Sequence, residues 1–285
     1  MIAANAVGAA GELRARAGLG LRPQHMPVIL EQRPPVAWFE AVTDNYLVDG
    51  GPLLAKLGAV REHYPLALHG VGLSLGSIDP LDRDYLRRLR ALARRMEPLF
   101  ISDHLCWNAH RGTHHCELLP VPYTAEALDH IAPRIRRVQD FLGCRIAIEN
   151  PSSYVSFLAS EMEEWTFLSE LAELADCMLL LDVNNIYVSC FNHGWNPERY
   201  IRGIAADRVQ QYHLAGYDDC GSHLLDSHGA AVHDAVWDLF ARTVVRIGCR
   251  PTLLEWDRDL PALPILLAEA EKAQAILTPP LRVAE

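Results

Sequence analysis

No CxxC pair occurs among the seven cysteines of this chain (Cys106, Cys116, Cys144, Cys177, Cys190, Cys220, Cys249), and their number is odd. Both a disulfide framework and a zinc knuckle are therefore disfavoured, and a reducing, cytoplasmic setting fits. No apolar run approaches the roughly 20 residues that span a bilayer, so no membrane partner is expected. Basic charge is scarce: 26 Lys and Arg stand against 36 Asp and Glu, a formal net charge of -10. Phosphate neutralisation demands the opposite balance, so nucleic acid is not an expected partner. Neither a GxGxxG nor a Walker pattern is found, which leaves nucleotide binding without support. Residues 1–17 are rich in Ala and Gly, but Glu12, Arg14 and Arg16 interrupt them and no basic stretch leads into an apolar one. They read as a flexible leader and not as an export signal.

What is present is alternation. Strand-like runs at 17–21, 36–42, 66–69, 100–103, 145–149, 178–182, 209–213 and 252–255 alternate with helix-like segments at 53–63, 81–96, 125–141, 161–175, 197–205, 230–247 and 260–277. Eight such strands predict an α/β fold, a TIM-type (β/α)8 barrel in one catalytic domain over residues 18–278, with a tail at 279–285. A doubly wound open sheet is the structural alternative. The segment DRDYLRRLRALARRM puts Tyr85, Leu86, Leu89, Leu92, Ala93 and Met96 on one stripe, with Asp79 and Pro80 expected to start the helix.

Most of the strand-like runs end in a residue able to bind a metal: PLALH at His69, LFISDH at His104, RIAIE at Glu149, MLLLD at Asp182, VQQYH at His213 and TLLE at Glu255. Asp226 and His228 share one loop. In a parallel barrel all strand C-termini open onto one face, so these side chains converge although they are scattered along the chain. Imidazole and carboxylate without thiolate suit iron, manganese or zinc. His69, His104 and Glu149 could hold one ion, Asp182, His213 and Glu255 a second, and Asp226 with His228 a third. Asn184 and Asn185 could orient ligands or bind an ion through a side-chain carbonyl. A lone His or Asp at a strand end is more often a hydrogen-bonded structural group; the joint occurrence is what points to metal. A metal-free histidine acid/base centre is an alternative, but it leaves the acidic partners unexplained.

Other candidates carry less. His110, His114 and His115 in NAHRGTHHCE look like a metal tract, but the Gly and polar flanks predict an exposed loop over the barrel mouth. HGVGLSLGS (69–77) has no following Lys and reads as a tight loop whose backbone comes close to the metal site, not as a phosphate cradle.

Taken together, GLGLRPQH (18–25), FEAVTDNYLVDGG (39–51), LHGVGLSLGS (68–77), SDHLCW (102–107), IENPSSY (148–154), LLDVNNIY (180–187), YHLAGY (212–217), DSHG (226–229) and LLEWD (253–257) resemble the multinuclear non-haem iron-dependent oxidases, in the family's order. The resemblance implies a TIM-type barrel carrying two or three irons in mixed Fe2+/Fe3+ states, with O2 as co-substrate. The first iron is implied at His69, His104 and Glu149. The second is implied at Glu149, Asp182, His213 and Glu255, and the third at Asn185, Asp226, His228 and Glu255. The implied function is oxidative modification of cysteine in a ribosomally made precursor peptide, with a small partner protein encoded nearby for peptide recognition. One departure is Asp44-Asn45, where many relatives have Glu-Asn, and it puts the support behind the ligands in doubt. A barrel metalloenzyme of the sugar-isomerase or endonuclease type is the competing reading, and a catalytically silent binding subunit is a third.

Overall fold

The computed structural model describes residue 13 and residues 15–278. The tail at 279–285 and nearly all of the expected leader lie outside the described residues. Leu13 is buried with Trp38, Ala67, Phe100 and Leu253, and Ala17 already belongs to the first strand.

Eight short strands close a parallel barrel: β1 (Ala17–Gly20), β2 (Phe39–Val42), β3 (Leu66–Gly70), β4 (Ile101–His104), β5 (Ala147–Glu149), β6 (Met178–Asp182), β7 (Val209–Leu214) and β8 (Thr252–Leu254). Each pairs with its sequence neighbours, and β1 joins β8 to β2. Every β–α connection therefore emerges at the same end. Strand register sets the site: His104 lies beside Glu149, and Asp182 beside His213.

Helices α1 (Met26–Gln32), α2 (Pro52–Arg61), α3 (Arg83–Met96), α4 (Ala125–Leu142), α5 (Glu164–Ala175), α6 (Val183–His193), α7 (Pro197–Gly203), α8 (Asp234–Ile247) and α9 (Leu263–Leu277) surround the barrel. On α3 the expected stripe is buried through Leu86, Leu89, Leu92, Ala93 and Met96, each leucine contributing about 2 kcal/mol by leaving water. The start of this helix differs from expectation. Asp82, not Asp79, is the cap, accepting from the amides of Asp84 and Tyr85 at 2.7 and 3.1 Å. Asp79 instead accepts from Gly112 N at 3.1 Å.

Two helices were not legible. α1 is too short to show a period. α6 has two asparagines in its first turn, after Val183, yet Asp182 caps it by accepting from Asn185 N at 2.7 Å, so one carboxylate ends a strand and starts a helix. The His-rich tract is also more ordered than an exposed loop. It is an antiparallel hairpin, Trp107–His110 with Thr113–Leu119, turning at Arg111 and Gly112 with φ of 51° and 74°. Two successive left-handed residues are what a tight two-residue hairpin turn needs. Among the described residues no helix is long and apolar enough to cross a membrane.

Glu164 at the start of α5 is buried and accepts from Tyr123 Oη at 2.8 Å and Tyr200 Oη at 2.5 Å. Burial pushes its carboxyl up to about 7 against the lowering effect of both phenols. A folded-state value above the unfolded one means that native Glu164 holds its proton longer, so stability is lost as pH rises from about 4.5 through about 7. Glu164→Gln removes this titration. Urea unfolding is expected to show the variant more stable than wild type by up to about 3 kcal/mol at pH 8, with the gap closing toward pH 5; a gap independent of pH would contradict this.

Candidate metal centre

The site is built from strand ends around one carboxylate. Glu149, 1 % exposed, points Oε2 at the Nε2 atoms of both His69 and His104, each 3.2 Å away. Its Oε1 lies 3.5 Å from His213 Nδ1, which is also 3.1 Å from Glu255 Oε2. Each ring is held from behind. His69 Nδ1 meets Ser102 Oγ at 2.8 Å, His104 Nδ1 meets the Gly70 carbonyl at 3.2 Å, and His213 Nε2 meets Glu40 Oε1 at 2.9 Å. Partners on the outer nitrogens fix ring orientation and leave the inner nitrogens facing the carboxylates.

Three overlapping triplets have all donor atoms within 4.8 Å of one another: His69, His104 and Glu149; Glu149, Asp182 and His213; and Asp182, His228 and Glu255. Glu149 belongs to the first two and Asp182 to the last two. The third triplet takes Asp182 where Asp226 was expected. Asp226 accepts from Asn184 Nδ2 at 2.8 Å, and its Oδ1 lies 2.7 Å from His228 Nε2 without the alignment of a hydrogen bond. Asn185 donates to the Asn150 carbonyl at 3.0 Å and keeps its Oδ1 unpartnered. His228 itself has φ of 48°, a strained backbone for a non-glycine residue that tertiary contacts must hold. His110, His114 and His115 sit on the exposed hairpin and join none of these triplets.

Glu149 Oε2, Asp182 Oδ2, Asn185 Oδ1, His213 Nδ1 and His228 Nε2 are all buried without a hydrogen-bond partner. Leaving one such group unsatisfied costs about 1–3 kcal/mol, and five converging at one barrel end fit cations that take them as ligands. The electrostatics agree. Burial holds His69 well below its ordinary value and His104 down at about 4, so both rings are neutral and ready to donate a lone pair. Burial also raises the carboxyls of Asp182 and Glu149, in Asp182 with help from the Glu149 charge. His213 and His228 go the other way. Burial opposes their charge, but Glu40, Glu149 and Glu255 around the first, and Asp226, Asp257 and Glu255 around the second, raise both well above the usual histidine range. Glu255 is held low despite burial, by His213 and His228.

Several functional neighbours were not foreseen. Glu40 carries the one signal that could have found it, a charge inside the apolar run FEAV. Gln211 stands two residues before His213 and donates to Glu40 Oε2 at 2.6 Å. Arg22 pairs with Asp257 and lies 3.6 Å from Glu255 Oε1. The glycine-rich loop does approach the site through the Gly70 carbonyl, but Gly72 is required elsewhere. A Cβ there would run into the Tyr85 ring and lie 2.7 Å from Asp44 Oδ1. Asp44 in turn accepts from Val71 N at 3.0 Å, so the carboxylate that departs from the resembling family anchors the loop after β3. Above the ligands a cavity of about 460 Å³ is lined by His69, His104, Asn185, Asp226, His228 and Glu255, with Arg22 and Asp257 at its side.

Because the protonated forms of His213, His228, Asp182 and Glu149 are favoured without metal, cation binding must release protons. Affinity for Co(II), followed by calorimetry in buffers of different ionisation enthalpy, is expected to fall about tenfold per pH unit for each displaced proton as pH drops from about 8 to about 6. Affinity independent of pH in that window would contradict the protonation pattern.

The family of RiPP precursor modification enzymes MbnB/TglH/ChrH matches residues 16–278. The UPF0276 protein of Anaeromyxobacter sp. (strain Fw109-5) is 51% identical over 259 residues, 91% of this chain and 92% of that protein. The UPF0276 protein of Acaryochloris marina (strain MBIC 11017) is 48% identical over 261 residues, 92% of this chain and 94% of that protein. Among solved structures, endonuclease IV from Thermus thermophilus is similar with a TM-score of 0.58 at 15% identity, over 90% of this chain and 99% of that one. D-Psicose 3-epimerase from Clostridium cellulolyticum is similar with a TM-score of 0.57 at 10% identity, over 92% and 96%. At such identities these structures speak for the barrel alone. The family match over residues 16–278, on a barrel whose strand ends gather histidines and carboxylates, shows that the chain belongs to the MbnB/TglH/ChrH family of RiPP precursor modification enzymes.

Proposed function

We propose that this chain is a multinuclear iron-dependent oxidase that uses O2 to modify cysteine residues of a ribosomally made precursor peptide. The observation that carries this reading is the overlap of the three triplets through Glu149 and Asp182, a layout for adjacent ions and not for one. Iron held there supplies the one-electron chemistry and O2 binding that protein side chains lack. His69, His104 and Glu149 would hold the first ion, Glu149, Asp182, His213 and Glu255 the second, and Asp182, His228 and Glu255 the third, with Asn185 and Asp226 lining the same cavity beside it. In this reading two or three irons are bound, in mixed Fe2+/Fe3+ states.

The chain's own groups do the rest. Ser102, Gly70 and Glu40 keep the three imidazoles facing inward. The cavity above them is large enough to admit a cysteine side chain with its flanking backbone. His69, His104, Glu149 and Glu255 are each at most 8 % exposed, so the ligand positions themselves are shielded from bulk water. Residues 18–278 act as one catalytic domain. The precursor peptide is delivered with a small partner protein encoded nearby. Among the described residues six cysteines are free and unpaired with one another, which supports a cytoplasmic, reducing setting.

The competing reading is a metal-dependent isomerase or hydrolase on the same barrel, which needs no O2. Co-expression with the neighbouring small open reading frame and partner gene, followed by mass spectrometry of the peptide, separates the two. A mass change confined to cysteine is expected, absent under argon and reduced at least about 100-fold by His104→Ala or Glu255→Ala. A change that persists under argon, or that leaves cysteine untouched, would overturn the oxidase reading.

A further inference from the structure

Glu40 meets His213 at the ring nitrogen that faces away from Glu149 and Glu255, and it does so across the barrel. β2 and β7 are not neighbours, yet Glu40 on β2 reaches both Gln211 and His213 on β7 through the interior. It is 3 % exposed, and Gln211 and His213 are fully buried. A charged residue and an amide in the middle of a barrel are unfavourable unless they serve a purpose there, since an apolar pair of similar volume packs as well or better.

We propose that Glu40 is a positioning residue that selects the metal-binding tautomer of His213. The reasoning is one of donors and acceptors. His213 Nε2 has two close neighbours, Glu40 Oε1 at 2.9 Å and Gln211 Nε2 at 2.7 Å. An amide nitrogen can only donate, and would call for a lone pair on Nε2 with the ring proton at Nδ1. An ionised carboxylate can only accept, and calls for the proton at Nε2 with the lone pair at Nδ1. Nδ1 is the atom that faces Glu149 and Glu255 and lacks a hydrogen-bond partner. Gln211 donates to the other oxygen of Glu40 at 2.6 Å and holds the carboxylate against the ring. Between a neutral amide donor and a carboxylate acceptor, the charge-assisted bond to the carboxylate is the stronger and places the ring proton at Nε2. The pair thus sets the one tautomer able to donate a lone pair into the cluster. This inference rests on the metal-centre reading, and it adds a residue that is not itself a ligand.

Glu40→Gln tests it, because the substitution keeps size and replaces an obligate acceptor with a group that can donate to Nε2. Anaerobic Co(II) titration of the full chain, read by the visible ligand-field bands, is the probe. Affinity of the His213-containing position is expected to fall about 10- to 100-fold, with the thermal midpoint of the metal-free protein unchanged or raised. In a His213→Ala background, Glu40→Gln is expected to change Co(II) affinity no further. Glu40→Leu, which cannot donate, is expected to weaken binding less than Glu40→Gln and serves if the latter fails to fold. Wild-type Co(II) affinity and spectrum in Glu40→Gln, or an undiminished effect in the His213→Ala background, would overturn the proposal and leave the metal centre standing. Failure of the wild-type chain to bind Co(II) would overturn both.

Discussion

Everything at this end of the barrel depends on one buried carboxylate facing three imidazoles. Glu149 sits 3.2 Å from two histidine nitrogens and 3.5 Å from a third. A carboxylate so deeply desolvated is unstable as a lone charge and is driven toward protonation unless cations gather around it. Charged His213 does part of that work in the metal-free protein, and burial leaves His69 and His104 neutral. The result is a site in which the protons present are those a metal displaces. The folded chain stores this arrangement in five unsatisfied polar atoms, held in place by the barrel's apolar packing.

The fold was legible because its signals are repetitive. Eight apolar runs separated by helical periods have few closed solutions, and each run, from PLALH to TLLE, lies in a barrel strand within a few residues of its expected bounds. The six polar ends of those runs were legible for the same reason, since a polar residue finishing an apolar strand has to emerge at the barrel mouth. Helix α6 was not legible, because Asn184 and Asn185 have low helix propensity and only the fold shows that Asp182 caps them. The α3 cap was misplaced because Asp79 and Asp82 are both good caps, and only the path of the loop decides between them.

What the sequence hid most completely was the support behind the ligands. Ser102, Gly70 and Glu40 lie 33, 34 and 171 to 173 positions from the groups they orient or share with them, so only strand register and barrel closure bring them together. Asp226 was expected in the third ligand set, but the triplet that forms there takes Asp182. The strand order places Asp182 beside His213, and a carboxylate oxygen of Asp182 lies within 4.8 Å of ligand atoms of His228 and Glu255, a closeness that spacing along the chain does not encode.

The central claim is that a single carboxylate joins adjacent ions. Iron counted per chain after anaerobic Fe(II) loading, in wild type and in Glu149→Gln, tests it most directly. Sharing predicts two or more irons in the wild type and loss of more than one from the variant, because two positions lose a ligand at once. Loss of one iron or none from a folded Glu149→Gln protein would contradict it.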